Sequence, residues 1–488
     1  VETDGTASYW LTRFCFQRAL GFVYLIAFLI ALNQFRGLIG EHGLLPVQLF
    51  LKRVKFWDAP SLFWINSSDR FLASIALTGL ALSLMAVTGL SDHFGLGLSV
   101  AVWGLLWLLY LSFVNVGQTF YGFGWETLLL ETGFLAIFLG ASNTSPPTVV
   151  IWLLRWILFR VMFGAGLIKL RGDPCWRDLT CLYYHYETQP LPNPLSWYFH
   201  PLPLLAHKGS VLFTHFVELV APWGVFAPGL LGYLAGGLCV IFQISLIVSG
   251  NLSWLNYITL VLCIPCFDDA FLSRFIPLGV PAVEPLSGAR QGIVVALTVL
   301  IVLLSIQPTV NLLSPGQIMN TSFEPLHLVN TYGAFGSVTK RRLEVIVEGS
   351  DEVVPTPAAK WREYEFKGKP GNLARPPCIV SPYHWKLDWQ MWFAAMTPYY
   401  YHPWFLNLVS KLLRGDRETL KLLAHNPFPE APPKLIRAGL YEYYFTTPEE
   451  RRKTGHWWKR TRVDEYLPPL SLEDSSFREV LREQGWLE

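Results

Sequence analysis

Charge is what this sequence has least of. Only 15% of its 488 residues are Asp, Glu, Lys or Arg, against about 25% in ordinary soluble proteins. Residues 219–267 carry no formally charged side chain, and residues 94–125 are equally bare. A large soluble core is thereby excluded, because nothing polar is left to coat the helices such stretches would form. The net charge is only +2 and no basic stripe stands out, which argues against a nucleic-acid partner. No glycine-rich nucleotide loop is present, so no ATP-driven cycle is expected. No A-x-A site follows the apolar run 19–32, so no cleavable signal peptide is expected, and a chain starting at Val1 without Met is expected to lack its first residues.

What is there instead is apolar length. A bilayer-crossing helix needs about 20 mostly apolar residues. Runs that meet or approach this cover residues 19–35, 71–90, 96–117, 126–141, 149–169, 211–226, 230–249, 254–267 and 292–306. Several are short, and Pro222 and Pro228 interrupt the sequence near the sixth and seventh. From about Gln307 onward charge returns, prolines punctuate, and apolar residues alternate in LEVIVEG (343–349) and REYEFKG (362–368). The pattern predicts a multi-pass α-helical membrane bundle of about seven to nine elements over residues 1–310. A soluble α+β domain over residues 311–488 is predicted to follow it.

Ionisable groups inside the apolar half are expensive and face a bundle interior or a wet cavity. Glu126 and Glu131 open the fourth segment, Arg155, Arg160 and Lys169 lie on the fifth, and His215 and Glu218 on the sixth. At about 100° per residue, Arg160 points nearly opposite Lys169, so it is expected to pair with Glu126 or Glu131 inside the bundle. Arg155 and Lys169 are expected to snorkel toward opposite interfaces, and His215 and Glu218, at i and i+3, to hydrogen-bond each other.

Residues 171–210 form a long aromatic loop containing Cys175 and Cys181, with Pro190, Pro192 and Pro194 stiffening it. The two cysteines enclose five residues, a spacing a disulfide can close. In an oxidising lumen that bond is expected, while a zinc half-site lacks a second pair of ligands. Cys263 and Cys266 make a C-x-x-C at the end of a membrane segment, with no helix N-terminus to lower a thiol pKa. Asn66, Asn143, Asn251 and Asn320 begin glycosylation sequons that cannot all lie on one side of a membrane. Arg36, Lys52, Arg53, Lys55 and Arg70 make the first loop the best cytosolic candidate, in conflict with the cytosolic N-terminus that Arg13 and Arg18 favour.

In the second half, HLVNTYGAF (327–335) reads as a strand, residues 378–381 as another, and LDWQMWFAAM (387–396) as a helix. Residues 404–415 read as a helix ended by Gly415, and RETLKLLAH (417–425) as a helix capped by Asp416. No nucleophile context accompanies His384 and Asp388, so hydrolase chemistry is disfavoured. With Trp389 and Trp392 they are read as a client-binding surface, since aromatic residues dominate protein interfaces.

Several long words resemble the lipase maturation factor family: GAGLIKLRGD (164–173), CWRDLTC (175–181), HYETQPLPNP (185–194), IVSGNLSWLN (247–256) and CFDDA (266–270). MNTSFEPLHLVNTYGAFGSVTK (319–340), SPYHWKLDWQMWFAA (381–395), LLAHNPF (422–428) and PPLSLE (468–473) extend the resemblance over nearly the whole chain. It implies a non-enzymatic folding and assembly factor for secreted lipases such as lipoprotein lipase, in the endoplasmic-reticulum membrane. Its partners are then the bilayer, client lipases and luminal redox and chaperone proteins, and it needs no cofactor or metal. A prokaryotic source would place the same architecture in the bacterial inner membrane. GLIKL before a Trp-containing loop also resembles the vitamin K-dependent carboxylase superfamily, whose further pattern is not visible here. That makes a membrane enzyme with Lys169 as base and a lipidic cofactor the alternative reading. A thiol-redox partner acting through Cys263/Cys266 or Cys175/Cys181 is the third.

Overall fold

The computed structural model describes residues 8–487. Among these, nine apolar helices make the bundle: α1 (Trp10–Leu38), α2 (Asp69–Thr88), α3 (Leu96–Val116), α4 (Gly124–Ala136) and α5 (Thr148–Arg171), then α6 (Leu204–Leu219), α7 (Leu230–Ser249), α8 (Leu255–Cys263) and α9 (Gly288–Leu304). Six of them, α1, α2, α3, α5, α7 and α9 with its continuation to Leu313, are long and apolar enough to cross a membrane. The other three are the short segments of the sequence pattern. Every residue of α4 except Phe134 is buried, so α4 is lined by protein rather than lipid. That placement lets a helix of 13 residues keep two glutamates in a membrane bundle.

Helix α1 starts nine residues before its apolar run because its polar residues have partners. The Trp10 and Leu11 amides donate to Asp269 at 2.8 and 2.7 Å, Arg13 donates to the Thr144 carbonyl at 2.5 Å, and Arg18 pairs with Asp92 at 3.1 Å. At its far end, Gln34 donates to the His384 carbonyl at 2.8 Å. The N-terminal end of α1 and the C-terminal region therefore lie at opposite faces of the bundle. Asn66 and Asn320 are exposed on the face bearing the C-terminal region, Asn143 sits at the opposite face, and Asn251 is buried against Val380. The basic first loop also lies on the C-terminal face, since Lys411 donates to the His42 carbonyl at 2.6 Å.

The C-terminal region is built on an antiparallel sheet of β1 (Arg342–Ser350), β2 (Arg362–Glu363), β3 (Leu435–Phe445) and β4 (Trp458–Leu470) in the order β2-β1-β3-β4. Val345 pairs with Leu440 and Val347 with Ala438, which puts the apolar alternation of 343–349 against the core. Helix α10 (Lys386–Ala394) packs on β1, and α11 (Pro403–Leu413) follows, ended by Gly415 at φ +65°. Three expected elements differ. Residues 327–335 join no sheet, with a bend at Leu328–Val329 and positive φ at His327 and Phe335, because Leu328 to Tyr332 are inserted into the bundle. Residues 378–381 form no strand; their backbone instead binds the Asn251 side chain. The helix capped by Asp416 spans only Arg417–Leu420, and Leu423–His425 is a strand paired with Glu365–Phe366.

Candidate functional site

Of four buried charge clusters, three tie the C-terminal region to the bundle or to the loop that follows α5, and one joins two helices of the bundle. The first is built on Glu131, whose carboxylate is 1% exposed at the residue level. It takes the Arg160 guanidinium, the Asn330 amide at 3.0 Å and the Tyr332 hydroxyl at 2.6 Å, while Arg160 also donates to the Asn330 carbonyl at 2.6 Å. The inserted 328–332 stretch thus completes an ion pair inside the bundle.

Glu126 lies five residues earlier, about 140° around α4, and cannot share that arginine. It accepts instead from Lys386 at 2.6 Å and from the Tyr110 hydroxyl, while the Lys386 ammonium also donates to the Phe120 carbonyl at 3.0 Å and sits 3.7 Å from the Tyr121 ring centre. His384 is packed edge-on against Phe123, Trp125 and Trp389. Neither of its ring nitrogens has a hydrogen-bond partner among the described residues. Burial, helped by the Lys386 charge, holds its pKa well below the usual histidine range.

The third cluster joins α5 to α6. The Lys169 ammonium donates to both Glu218 oxygens, at 2.5 and 2.7 Å, below the Trp176 ring. Neither Arg155 nor Lys169 snorkels: Arg155 donates to the Pro265 carbonyl at 2.9 Å and to the Tyr9 hydroxyl at 3.2 Å. His215 bonds the Trp176 carbonyl at 3.0 Å rather than Glu218. The fourth cluster ties the sheet to the loop. Arg342 donates to the Glu187 carbonyl at 2.9 Å, to the Pro190 carbonyl at 3.0 Å and to Glu344 at 2.6 Å, and Lys369 pairs with the other Glu344 oxygen at 2.9 Å. Gly172 and Gly336 bring the loop's start against the 336 turn: a Cβ on Gly172 would lie 2.1 Å from the Gly336 carbonyl oxygen.

Cys175 and Cys181 form a disulfide with Cα atoms 4.8 Å apart, packed with Trp176, Tyr186 and Val211. Cys263 and Cys266 are buried in the bundle, where a partner protein's thiol cannot reach them. His384, Asp388 and Trp389 are likewise buried, and Trp392 donates to the Thr188 carbonyl at 3.2 Å. This corrects the expectation that they form a client-binding surface. Asp388 accepts from the Gly368 and Lys369 amides and fixes the sheet–helix junction. The exposed aromatic face lies just beyond them: Phe393, Met396, Tyr400 and Tyr401 are 36%, 39%, 63% and 67% exposed. Sequence reasoning missed it because PYYYHPW shows no periodicity, although three consecutive tyrosines between prolines signal an exposed turn.

The His185 ring is enclosed beside Phe335, and burial together with the Lys169 charge pushes its pKa down to about 4. Burial does the same to His327, also to about 4. Both are neutral in the fold but protonate near pH 6.5 when unfolded. Their contribution is therefore complete above about pH 6.5 and is lost as pH falls through about 4, since acid favours the protonated unfolded chain. Between pH 7.5 and 5 each histidine should cost about 2 kcal/mol of stability. Thermal unfolding of the purified protein should show this drop, and His185→Gln should remove about 2 kcal/mol of it.

The family model described as "Lipase maturation factor transmembrane domain" matches residues 11–274, and "Lipase maturation factor C-terminal domain" matches residues 328–468. The chain is 45% identical to lipase maturation factor 1 of Mus musculus, over 99% of the chain and 90% of that protein. It is 44% identical to lipase maturation factor 1 of Homo sapiens, over 99% of the chain and 91% of that protein. Lipase maturation factor 2 of Xenopus laevis is 31% identical over 97% of the chain and 84% of its own length. No solved structure matches the chain.

Proposed function

Since the chain belongs to the lipase maturation factor family, we propose that it is a folding and assembly factor for secreted lipases of the lipoprotein lipase type. In this reading it acts from the endoplasmic-reticulum membrane, with residues 1–310 as anchor and residues 311–488 as the luminal working part. The observation that carries it is the exposed aromatic face of Phe393, Met396, Tyr400 and Tyr401 on a region fixed rigidly to the bundle. Partly folded lipase would lay exposed apolar surface on those side chains and be kept from aggregating until it assembles. No catalysis is required of the protein, and luminal redox and chaperone proteins would act on the same bound client.

The enzyme alternative would need Lys169 as a free amine. Its nitrogen is instead engaged by both oxygens of the buried Glu218 carboxylate. A thiol-redox role would have to use the Cys175–Cys181 bond, whose two cysteines are 3% and 0% exposed.

The test is lipase activity secreted from cells lacking their own maturation factor. Wild type should rescue it, and Tyr400→Ser with Tyr401→Ser should lower the rescue roughly tenfold at equal membrane expression. Lys169→Met alone would strand Glu218, so the paired Lys169→Met/Glu218→Leu variant is the informative one; it should rescue like wild type. Loss of rescue by that pair with normal folding would instead support the enzyme reading. Placement is tested in the same cells by Glu352→Asn with Val354→Thr, which creates a sequon on an exposed turn. Glycan addition there means a luminal C-terminal region; its absence puts that region, with the basic first loop beside it, in the cytosol.

A further inference from the structure

A cleft of about 730 Å³ opens beside the sheet, walled by Trp197, Tyr198, Pro201 and Trp457, with Arg451 and Arg452 at its edge. Its position is fixed by the short helix Pro194–Phe199. Asn193 and Ser196 donate to the Val248 and Ser249 carbonyls, both at 2.9 Å, which are the last residues of the membrane helix α7. Five residues after that short helix, α6 begins at Leu204. The cleft therefore sits beside the end of α7 and close in sequence to the start of α6, where the chain leaves the apolar bundle. Tyr198 in its wall is 53% exposed, and the first residues of α6, Leu204 and Leu205, are 61% and 81% exposed. Tryptophan and tyrosine at this level are the usual markers of a membrane interface.

Of the two cations, Arg451 has been left available. Arg451 lies 3.4 Å over the Trp457 ring and 5.1 Å from that of Trp197. Among the described residues, no carboxylate pairs with it and no acceptor takes a hydrogen bond from its guanidinium. The carboxylates nearest in sequence are engaged elsewhere: Glu450 takes Lys459 at 2.8 Å and Glu449 takes Arg452 at 3.3 Å in an exposed pair. A guanidinium seated on the Trp457 indole, with the Trp197 ring standing edgewise to that indole, keeps its donors without a protein acceptor, which suits a phosphate. Basic residues in such a place attract anionic lipid.

We propose that this cleft binds the phosphate headgroup of an anionic bilayer phospholipid, with Arg451 as the clamp, Arg452 as the second cation and the aromatic wall facing the glycerol region. The proposal does not depend on the client reading, because neither Tyr400 nor Tyr401 lines the cleft. The exposed Tyr198 in the wall and the bare leucines that open α6 favour a lipid over an acidic protein segment, since a soluble acidic peptide gains nothing from apolar surface beside an apolar helix.

The full chain in detergent, titrated with phosphatidylinositol and with phosphatidylcholine and read by native mass spectrometry, tests it. Wild type should retain phosphatidylinositol preferentially, and Arg451→Gln with Arg452→Gln should weaken that retention about tenfold without changing the melting temperature. Arg451→Lys keeps the charge but loses the planar fork, so it should fall between the two. Lys52→Gln with Lys55→Gln removes the same charge from another exposed site on that face and should leave retention unchanged. An equal loss in this control, or unchanged retention in the double arginine variant, would overturn the site. So would displacement of the lipid by inorganic phosphate or by a glutamate-rich peptide at matched charge, which would reassign the cleft to a soluble anion or to a protein.

Discussion

Lys386→Met should leave little folded protein in the membrane. The substitution removes the only cation paired with Glu126 among the described residues and strands a fully buried carboxylate whose remaining side-chain partner is Tyr110. Breaking a buried pair in this way costs about 3–5 kcal/mol, a large share of the 5–15 kcal/mol that typically holds a protein folded. Combining it with Glu126→Leu should recover most of that loss, because removing both charges together leaves no uncompensated ion. Size-exclusion profiles and thermal unfolding of the single and double variants give the comparison. Equal damage in the two would mean that the pair's packing matters rather than its charge. The single variant's defect should also appear as loosening of the C-terminal region, since Lys386 enters the bundle from α10.

Glu131→Gln is the second large effect. It removes the negative charge and turns one of the two acceptor oxygens into a donor, so the side chain can no longer serve Arg160 together with the Asn330 amide and the Tyr332 hydroxyl. A loss of about 3–5 kcal/mol is expected, most of it from the orphaned guanidinium. Arg160→Met in the same background should restore part of the stability. The distinguishing readout is limited proteolysis between residues 319 and 340. With the carboxylate gone, the inserted 328–332 stretch loses its anchor and should become cleavable, whereas a purely local packing defect would leave it protected.

The bundle was legible because absence of charge is a strong signal: each of the nine apolar runs overlaps a helix, although α1 starts nine residues before its run and α6 is displaced seven residues toward the N-terminus. The helical wheel also pointed Arg160 at α4. What the wheel could not decide was which glutamate it would meet, since the competitor for Glu126 lies 260 residues away in sequence. Nothing in HWKLDWQMW says that its lysine enters a membrane bundle. Its pattern reads as a helix with one wet side, yet Lys386 through Met391 are all buried. The same blindness explains the client-surface correction. Aromatic and polar residues mark an interface from sequence alone, but here the interface is with the chain's own bundle, and the outward-facing aromatics follow a few residues later. Residues 327–335 have strand-like alternation because they too lie between packed surfaces, but those surfaces are helices.

The insertion of 328–332 into the bundle and the reach of Lys386 into α4 have a consequence for synthesis. The polypeptide emerges from its N-terminus, so α4 is made long before either partner segment. Until about residue 390 has emerged, the half-made bundle carries Glu126 without its lysine and Arg160 and Glu131 without their backbone clamp. The anchor is thus the last part of the molecule to be finished, although it is the first to be made. A chain that stops early would lose more than its working surface. It would leave an unsettled charge in the membrane, which the cell's quality control can read as an unassembled protein.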